Sequence, residues 1–165
     1  MAQDDTVAVS WYRKAAEQGY AAAQFSLGGK YADGKGVAQD YAAAVSWYRK
    51  AAEQEDTDAQ VNLANLYKTG RGVTQDYAAA VSWYRKAAEQ GHAISQYNLG
   101  IMYRDARGLS QDYVQTLKWF NLALTGNSTA DNRTKMQNAR DLVAAKMQPT
   151  QIVEAQRLAS AWRKK

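Results

Sequence analysis

A 36-residue period is the feature that most constrains the fold of this 165-residue chain. Tryptophan recurs at that spacing, at Trp11, Trp47, Trp83 and Trp119. The fifteen residues DYAAAVSWYRKAAEQ at 40–54 return unchanged at 76–90. Similarity at a fixed period of this size is typical of arrays in which each unit buries its apolar face against its neighbours. The period therefore predicts stacked copies of one supersecondary unit.

The second segment of each period has the pattern of an amphipathic helix. Val45, Tyr48 and Ala52 are spaced i, i+3 and i+7, which places them on one helical face. The segment opens with an aspartate, which is a good N-cap because its side chain accepts hydrogen bonds from the free N–H groups of the first turn. The three aspartates are Asp40, Asp76 and Asp112.

The first segment is also predicted to be helical, and it runs into a glycine turn. A clear copy reads AQVNLANLYKTGRGVTQ at 59–75. Glycine is expected there because a residue that ends a helix often needs a positive φ angle. Two copies have glycine at the first turn position, Gly34 and Gly70, whereas the third has Ala106. Ala106 therefore either tolerates its Cβ atom or strains the third turn.

The combined pattern is A-x-x-x-L-G-x-x-Y, a glycine turn, then D-x-x-x-A-x-x-W-Y-x-K-A-A-x-x-G. It resembles the Sel-one-like repeat, a branch of the tetratricopeptide superfamily, whose other members share L-G-x-x-Y but have a 34-residue period. The resemblance covers residues 7–125. Ala64 and Glu55 depart from it, since each replaces a glycine, and both predict local looseness. The resemblance implies an all-α fold, a right-handed α-solenoid of 36-residue helix-turn-helix repeats.

We expect a single solenoid domain over residues 1–165, closed by a C-terminal cap. Solenoids need such a cap because a terminal repeat has no neighbour to cover its face. The sequence after the repeats predicts two more helices, the last with Pro149 at its first position. The first of them has an apolar stripe at Met136, Ala139, Val143 and Met147. The predicted parts are an N-terminal repeat helix at 6–18, repeats at 20–54, 56–90 and 92–125, and capping helices at 126–165.

Composition excludes several classes of site. The absence of cysteine removes disulfides, thiolate zinc sites and cysteine nucleophiles, and one histidine cannot build a multi-histidine metal site. We therefore expect no cofactor and no metal. No apolar run approaches the ~20 residues of a membrane span. The net charge of +5 belongs to residues 112–165 alone. A nucleic-acid-binding protein more often spreads basic residues along its working face, so nucleic acid is not an expected partner.

Several motifs favour structural interpretations. Residues 29–35 match most of a phosphate-binding loop but lack its final Ser/Thr and a preceding strand, which favours a turn. His92 stands where an earlier repeat has Tyr20, which favours a structural role. The recurring tryptophans favour packing between repeats over ligand stacking. Arg49 and Arg85 favour exposed ion pairs with the glutamates four residues later.

The basic C-terminal end is predicted to be solvated. Binding to an acidic partner or to a membrane headgroup is the alternative. Its basic residues are Arg157, Arg163, Lys164 and Lys165.

Stacked helix pairs form a concave surface lined by the first helices, and this surface can hold a peptide along several repeats. Packing positions must repeat, so first-helix positions that vary between repeats are candidates for contact with a partner. The tetratricopeptide resemblance implies that these positions face the groove. Asn62 and Asn98 are suited to hold a ligand backbone because an amide side chain both donates and accepts. The candidate partner-binding residues are Phe25, Val61, Asn62, Asn65, Lys68, Tyr97, Asn98, Ile101 and Arg104.

These features predict a non-enzymatic interaction module that binds a peptide or a partner protein in the concave groove. The resemblance implies an adaptor in bacterial signalling, envelope or host-contact complexes, and it favours an exported protein over a cytoplasmic one without deciding the compartment. One alternative is a structural element that self-assembles through its N-terminal helix. A second is a β-lactam-binding hydrolase, as described for some members of the family, although the chain offers no nucleophile–base pair. A designed consensus array is a further alternative, against which the drift of the third repeat argues.

Overall fold

The computed structural model describes residues 2–163, with side chains from residue 4 onward. Within them the chain forms nine α-helices and no β-strand, which confirms the all-α prediction. The helices are α1 (Ala2–Glu17), α2 (Ala21–Asp33), α3 (Tyr41–Glu53), α4 (Thr57–Thr69), α5 (Tyr77–Glu89), α6 (Ala93–Arg104), α7 (Tyr113–Thr125), α8 (Ala130–Ala144) and α9 (Pro149–Ala161). Contacts divide the chain into two compact units, Met1–Ala80 and Val81–Lys165, with the boundary inside α5.

In the first unit, α2 packs against α1 and α3, and α3 packs against α4. A core cluster of Val9, Ala16, Ala23 and Leu27 joins α1 and α2. Trp47 of α3 packs against this cluster. Trp47 therefore packs against a cluster that α1 of the preceding repeat and α2 of its own repeat build together.

In the second unit, α7 is surrounded by α6, α8 and α9. Three residues of the predicted apolar stripe, Met136, Ala139 and Val143, are buried on α8, whereas Met147 is buried in the turn after α8 ends at Ala144. Pro149 occupies the first turn of α9 as expected. The core cluster of this unit comprises Leu117, Phe120, Ala139, Val143, Met147 and Ala155. The last two helices therefore cover α7, which is the position of a cap. Lys164 and Lys165 lie outside the described residues.

The aspartates cap the second helices as predicted. The side chain of Asp40 accepts hydrogen bonds from the backbone N–H groups of Ala42 and Ala43, at 2.9 and 3.0 Å. Asp76 and Asp112 each accept one such bond in the first turn of the helix that follows, at 2.9 Å. The N–H of each aspartate also donates to the carbonyl of the tyrosine that ends the preceding helix, which closes the turn.

Glycine is required in these turns by conformation and by space. Gly36 and Gly72 have φ angles of +73° and +69°. A Cβ atom on Gly36 would lie 2.3 Å from the carbonyl oxygen of Asp5, and one on Gly72 would lie equally close to that of Tyr41. The turn can therefore approach the backbone of the preceding repeat only where no side chain is present.

Three positions carry another residue where the repeat pattern has glycine, and their backbone conformations and environments differ. Ala106 and Glu55 keep the left-handed conformation, with φ angles of +54° and +67°. Ala106 therefore strains the third turn, because a Cβ atom destabilises this conformation. Ala64 is completely buried, so its methyl group lies in a closed core.

Candidate functional site

The candidate residues of the first unit lie on α2 and α4. Phe25, Asn62, Asn65 and Lys68 are half-buried. Val61 is only 8% exposed, so little of its side chain is open to a partner. The first unit therefore offers one aromatic ring, two amides and one ammonium group at a partly open surface.

Tyr48 of α3 lies beside two of these residues. Its ring contacts that of Phe25 with centroids 5.8 Å apart, and its hydroxyl is hydrogen-bonded to Asn62. Burial, together with the charge of Asp33, raises the pKa of Tyr48 to about 12, and the bond from Asn62 opposes that rise. The amide of Asn62 is therefore already engaged within the unit.

In the second unit, three of the four candidate residues make contacts of their own. Tyr97 packs its ring on Phe120 at a centroid distance of 5.1 Å, and Ile101 packs against the core cluster. Arg104 donates to both carboxylate oxygens of Asp105, at 2.6 and 3.2 Å. These hydrogen bonds raise the pKa of Arg104 and lower that of Asp105. The charge of Arg104 is therefore compensated locally.

The fourth candidate of this unit, Asn98, lines a cavity of about 190 Å³ between α6 and α8. In the part of the chain that the structure describes, its side chain makes no intramolecular hydrogen bond. The cavity is lined by Ile94, Tyr97, Asn98, Asn132, Lys135 and Met136. Tyr97 and Asn98 were predicted from the sequence, whereas Ile94 of α6 and the three residues of α8 were not. The three were missed because α8 lies outside the repeat and only tertiary packing brings it to α6.

The structural interpretations of His92 and of the phosphate-loop-like stretch agree with the structure. His92 caps α6, and its Nδ1 accepts a hydrogen bond from the backbone N–H of Ser95 at 3.2 Å. The stretch from residue 29 is the end of α2 followed by a left-handed turn at Gly34. Lys30, its lysine, forms an ion pair with Asp5 of α1, and this hydrogen bond lowers the pKa of Asp5.

The arginines that follow the tryptophans have partners that were not predicted. Arg49 donates to the hydroxyl of Tyr67 at 2.5 Å, and Arg85 donates to that of Tyr103 at 3.0 Å. The expected partners were glutamates on the same helix. These hydrogen bonds link each second helix to the first helix that follows it in the chain.

The four tryptophans that recur at the 36-residue period share a position in the repeat but differ in solvent exposure. Trp119 is 5% exposed, whereas Trp11 is 67% exposed and adjoins Val7, which is 52% exposed. The prediction that the tryptophans pack between repeats is therefore wrong for Trp11. Among the described residues, little covers the face of α1 that carries Trp11 and Val7.

Two structural features are absent from the described residues. No group of three or more His, Cys, Asp or Glu side chains is arranged to hold a metal ion. None of the helices there is long and apolar enough to cross a lipid bilayer.

Comparison with known proteins shows which family the chain resembles in sequence and fold. The family model described as Sel1 repeat matches residues 1–20, 21–56, 57–92 and 93–128. A Sel1 repeat protein from Oxalobacter formigenes is 30% identical, with a TM-score of 0.71, and the match covers 88% of this chain and 66% of that one. No significant match was found among curated protein sequences.

A second similar structure is c5321, described as a protective antigen of uropathogenic Escherichia coli strains with an SLR fold. It is 32% identical, with a TM-score of 0.59, over 93% of this chain and 40% of that one. The chain therefore spans less than two thirds of the length of either structural relative.

Proposed function

The chain belongs to the Sel1 repeat family, and from this premise we propose that it binds a peptide or a partner protein through α2, α4 and α6, the first helices of its repeats. Members of the family are generally non-catalytic, and their repeats typically serve as scaffolds for protein interactions. The proposed role is accordingly that of a non-enzymatic adaptor.

The observation that carries this proposal is the contrast between repeated and variable positions on the first helices. The repeated leucines Leu27, Leu63 and Leu99 are completely buried and are committed to the core. Variable positions on the same helices, such as Phe25 and Tyr97, are half-buried. Selection for packing explains the leucines and contributes to the choice of aromatic rings, but it does not require amide and basic side chains at a partly open surface.

The two units offer related but unequal surfaces. Each has an aromatic ring, an amide and a basic side chain, which suits a partner that carries apolar anchors and acidic groups. Because Arg104 is paired with Asp105, we assign the second unit's contribution mainly to its ring and its amide. The proposed contacts are Phe25, Val61, Asn62, Asn65 and Lys68 in the first unit, and Tyr97, Asn98, Ile101 and Arg104 in the second.

The test is affinity capture from a lysate of the source bacterium with the full chain as bait. One variant carries Asn62→Ala, Lys68→Ala, Asn98→Ala and Arg104→Glu. A matched control carries four changes at exposed positions off the first helices, namely Ser46→Ala, Ser82→Ala, Gln137→Ala and Lys146→Glu. Circular dichroism checks that all three proteins are equally helical.

We expect a protein that is retained by the wild type and the control but lost by the first-helix variant. Its purified form should bind the wild type directly. If all three baits retain the captured protein equally, the substituted residues of the first helices do not contribute to its binding. Failure to capture any protein would contradict the adaptor role in that lysate.

Self-assembly is a second candidate function, favoured by the exposed apolar face of α1 at Val7 and Trp11. Contiguous exposed apolar surface is often a site of protein contact. On this hypothesis the sedimentation mass of the wild type rises with concentration, and that of a Trp11→Glu variant does not. A monomeric mass for the wild type at all concentrations would exclude it.

A further inference from the structure

We propose that the cavity between α6 and α8 is a docking site for an extended peptide that carries an apolar side chain next to an acidic one. This inference rests on the proposed function, because it names the partner chemistry for one part of the interaction surface. It involves only the second unit.

The apolar part of the cavity fits a single side chain. Met136 is 2% exposed and closes the cavity on the α8 side, while Ile94 of α6 is 40% exposed and open to contact. Tyr97 is held in place by its ring contact with Phe120. A volume of about 190 Å³ is below the ~300 Å³ at which sites for drug-sized ligands begin. One large apolar side chain is therefore the fitting anchor.

The polar part of the cavity is unpaired. Among the described residues, the side chains of Asn98, Asn132 and Lys135 make no intramolecular hydrogen bond or ion pair. Asn62, which occupies the position of Asn98 in the previous repeat, is by contrast bonded to Tyr48. Two free amides match the donors and acceptors of an extended peptide backbone, because each amide group both donates and accepts.

The basic charge of the second unit favours a peptide with an acidic residue next to its apolar anchor. Residues 81–165 contain thirteen Lys and Arg against six Asp and Glu. Lys135 is the cation at the cavity itself, and Asp131, one turn earlier on α8, does not pair with it in the described structure. An acidic side chain beside the anchor would supply the missing partner, whereas a basic one would be repelled.

The experiment uses capped hexapeptides, acetylated and amidated, so that a glutamate side chain is the only carboxylate. Their central pairs are Leu-Glu, Leu-Gln, Ala-Glu and Leu-Lys within a Gly and Ser background. Each is titrated into the ¹⁵N-labelled full chain, and the side-chain amide signals of Asn98 and Asn132 are followed by NMR. Asn98→Asp and Asn132→Asp variants identify the two signals.

The Leu-Glu peptide should shift both amide signals, and the Leu-Gln and Ala-Glu peptides should bind about tenfold more weakly. Lys135→Glu should abolish Leu-Glu binding and allow Leu-Lys binding. The control, Lys146→Glu, makes the same charge change at an exposed lysine that does not line the cavity, and it should bind Leu-Glu within about twofold of the wild type.

Three results would overturn the inference. These are equal binding of Leu-Glu by the wild type and Lys135→Glu, no amide shift with any peptide, and amide shifts that follow protein concentration instead of peptide. The last would identify a second copy of the chain as the occupant. If a partner is captured through the first helices while the peptides fail, the proposed function stands and only this docking site is excluded.

Discussion

The side-chain amide of Gln60 donates a hydrogen bond to the carbonyl oxygen of Ala52 at 3.2 Å, between the start of α4 and the end of α3. Gln24 and Gln96 make the same bond, each to the carbonyl eight residues before it, at 3.1 Å. All three glutamines are at most 4% exposed. The glutamine thereby adds a second donor to a carbonyl near the end of each second helix, because that carbonyl also accepts a backbone N–H from the turn that follows.

Replacing Gln60 by leucine should lower the free energy of unfolding by about 0.5–1.5 kcal/mol, because one buried hydrogen bond is lost without a change in side-chain size while the N–H of Glu55 still donates to the Ala52 carbonyl. Urea denaturation followed by circular dichroism measures the change. Gln137→Leu is the control, since it makes the same substitution at an exposed helical position and should stay within about 0.5 kcal/mol of the wild type. An equal effect of both substitutions would deny the bond a role in stability.

These glutamines show where prediction from the sequence ends. The period, the aspartate caps and the turn glycines are local signals, and they predicted the helices and their order. Gln24, Gln60 and Gln96 also recur at the period, but whether an amide reaches a carbonyl of the preceding helix depends on how the two helices pack. The same reasoning applies to Asn98, whose cavity is completed by α8, a helix that has no counterpart in the repeats.

Glu55→Gly should stabilise the protein by about 0.5–1 kcal/mol, because Glu55 holds a φ angle of +67° that a Cβ atom disfavours. Gly91 has the corresponding position one repeat later, with a φ angle of +85°. Thermal or urea denaturation measures the gain. Gln137→Gly, at an exposed position in the middle of α8, is the contrasting change and should destabilise by about 0.5–1 kcal/mol. A loss of stability in Glu55→Gly would show that its side chain outweighs the strain.

Stability should fall at high pH through Tyr48. Its pKa in the folded protein is raised to about 12 by burial, above the value near 10 in the unfolded chain. The contribution of neutral Tyr48 is therefore complete below pH 10 and is lost as the pH rises from 10 to 12. Burial raises the pKa of Tyr84 in the same direction.

The Tyr48 contribution is isolated by comparing the wild type with Tyr48→Phe. Between pH 8 and pH 11 the wild type should lose about 1 kcal/mol more than the variant, because the phenol of Tyr48 ionises in the unfolded wild type and stays largely neutral in the folded one, whereas the variant has no phenol at this position. Tyr20→Phe is the control, since Tyr20 is 63% exposed and the variant should follow the wild-type pH profile. Parallel profiles for wild type and Tyr48→Phe would refute the raised pKa.

Trp119→Ala should destabilise the protein by about 3–5 kcal/mol, whereas Trp11→Ala should change the free energy of unfolding by less than about 1 kcal/mol. Both tryptophans stand at the same point of the 36-residue period, and both have a lysine stacked over the ring, Lys118 at 4.4 Å and Lys14 at 4.9 Å. Stacking is thus common to the two positions, and burial is what separates them.

A third variant, Trp119→Phe, separates the ring from its N–H group. Nε1 of Trp119 is buried and has no hydrogen-bond partner among the described residues. Phenylalanine removes this unpaired donor while it keeps an aromatic ring, so the variant should recover more than half of the stability that Trp119→Ala loses. Urea denaturation of the three variants and the wild type tests the order. Equal losses in Trp11→Ala and Trp119→Ala would mean that the α1 face is covered in solution, and sedimentation would then identify the cover as a second copy or exclude it.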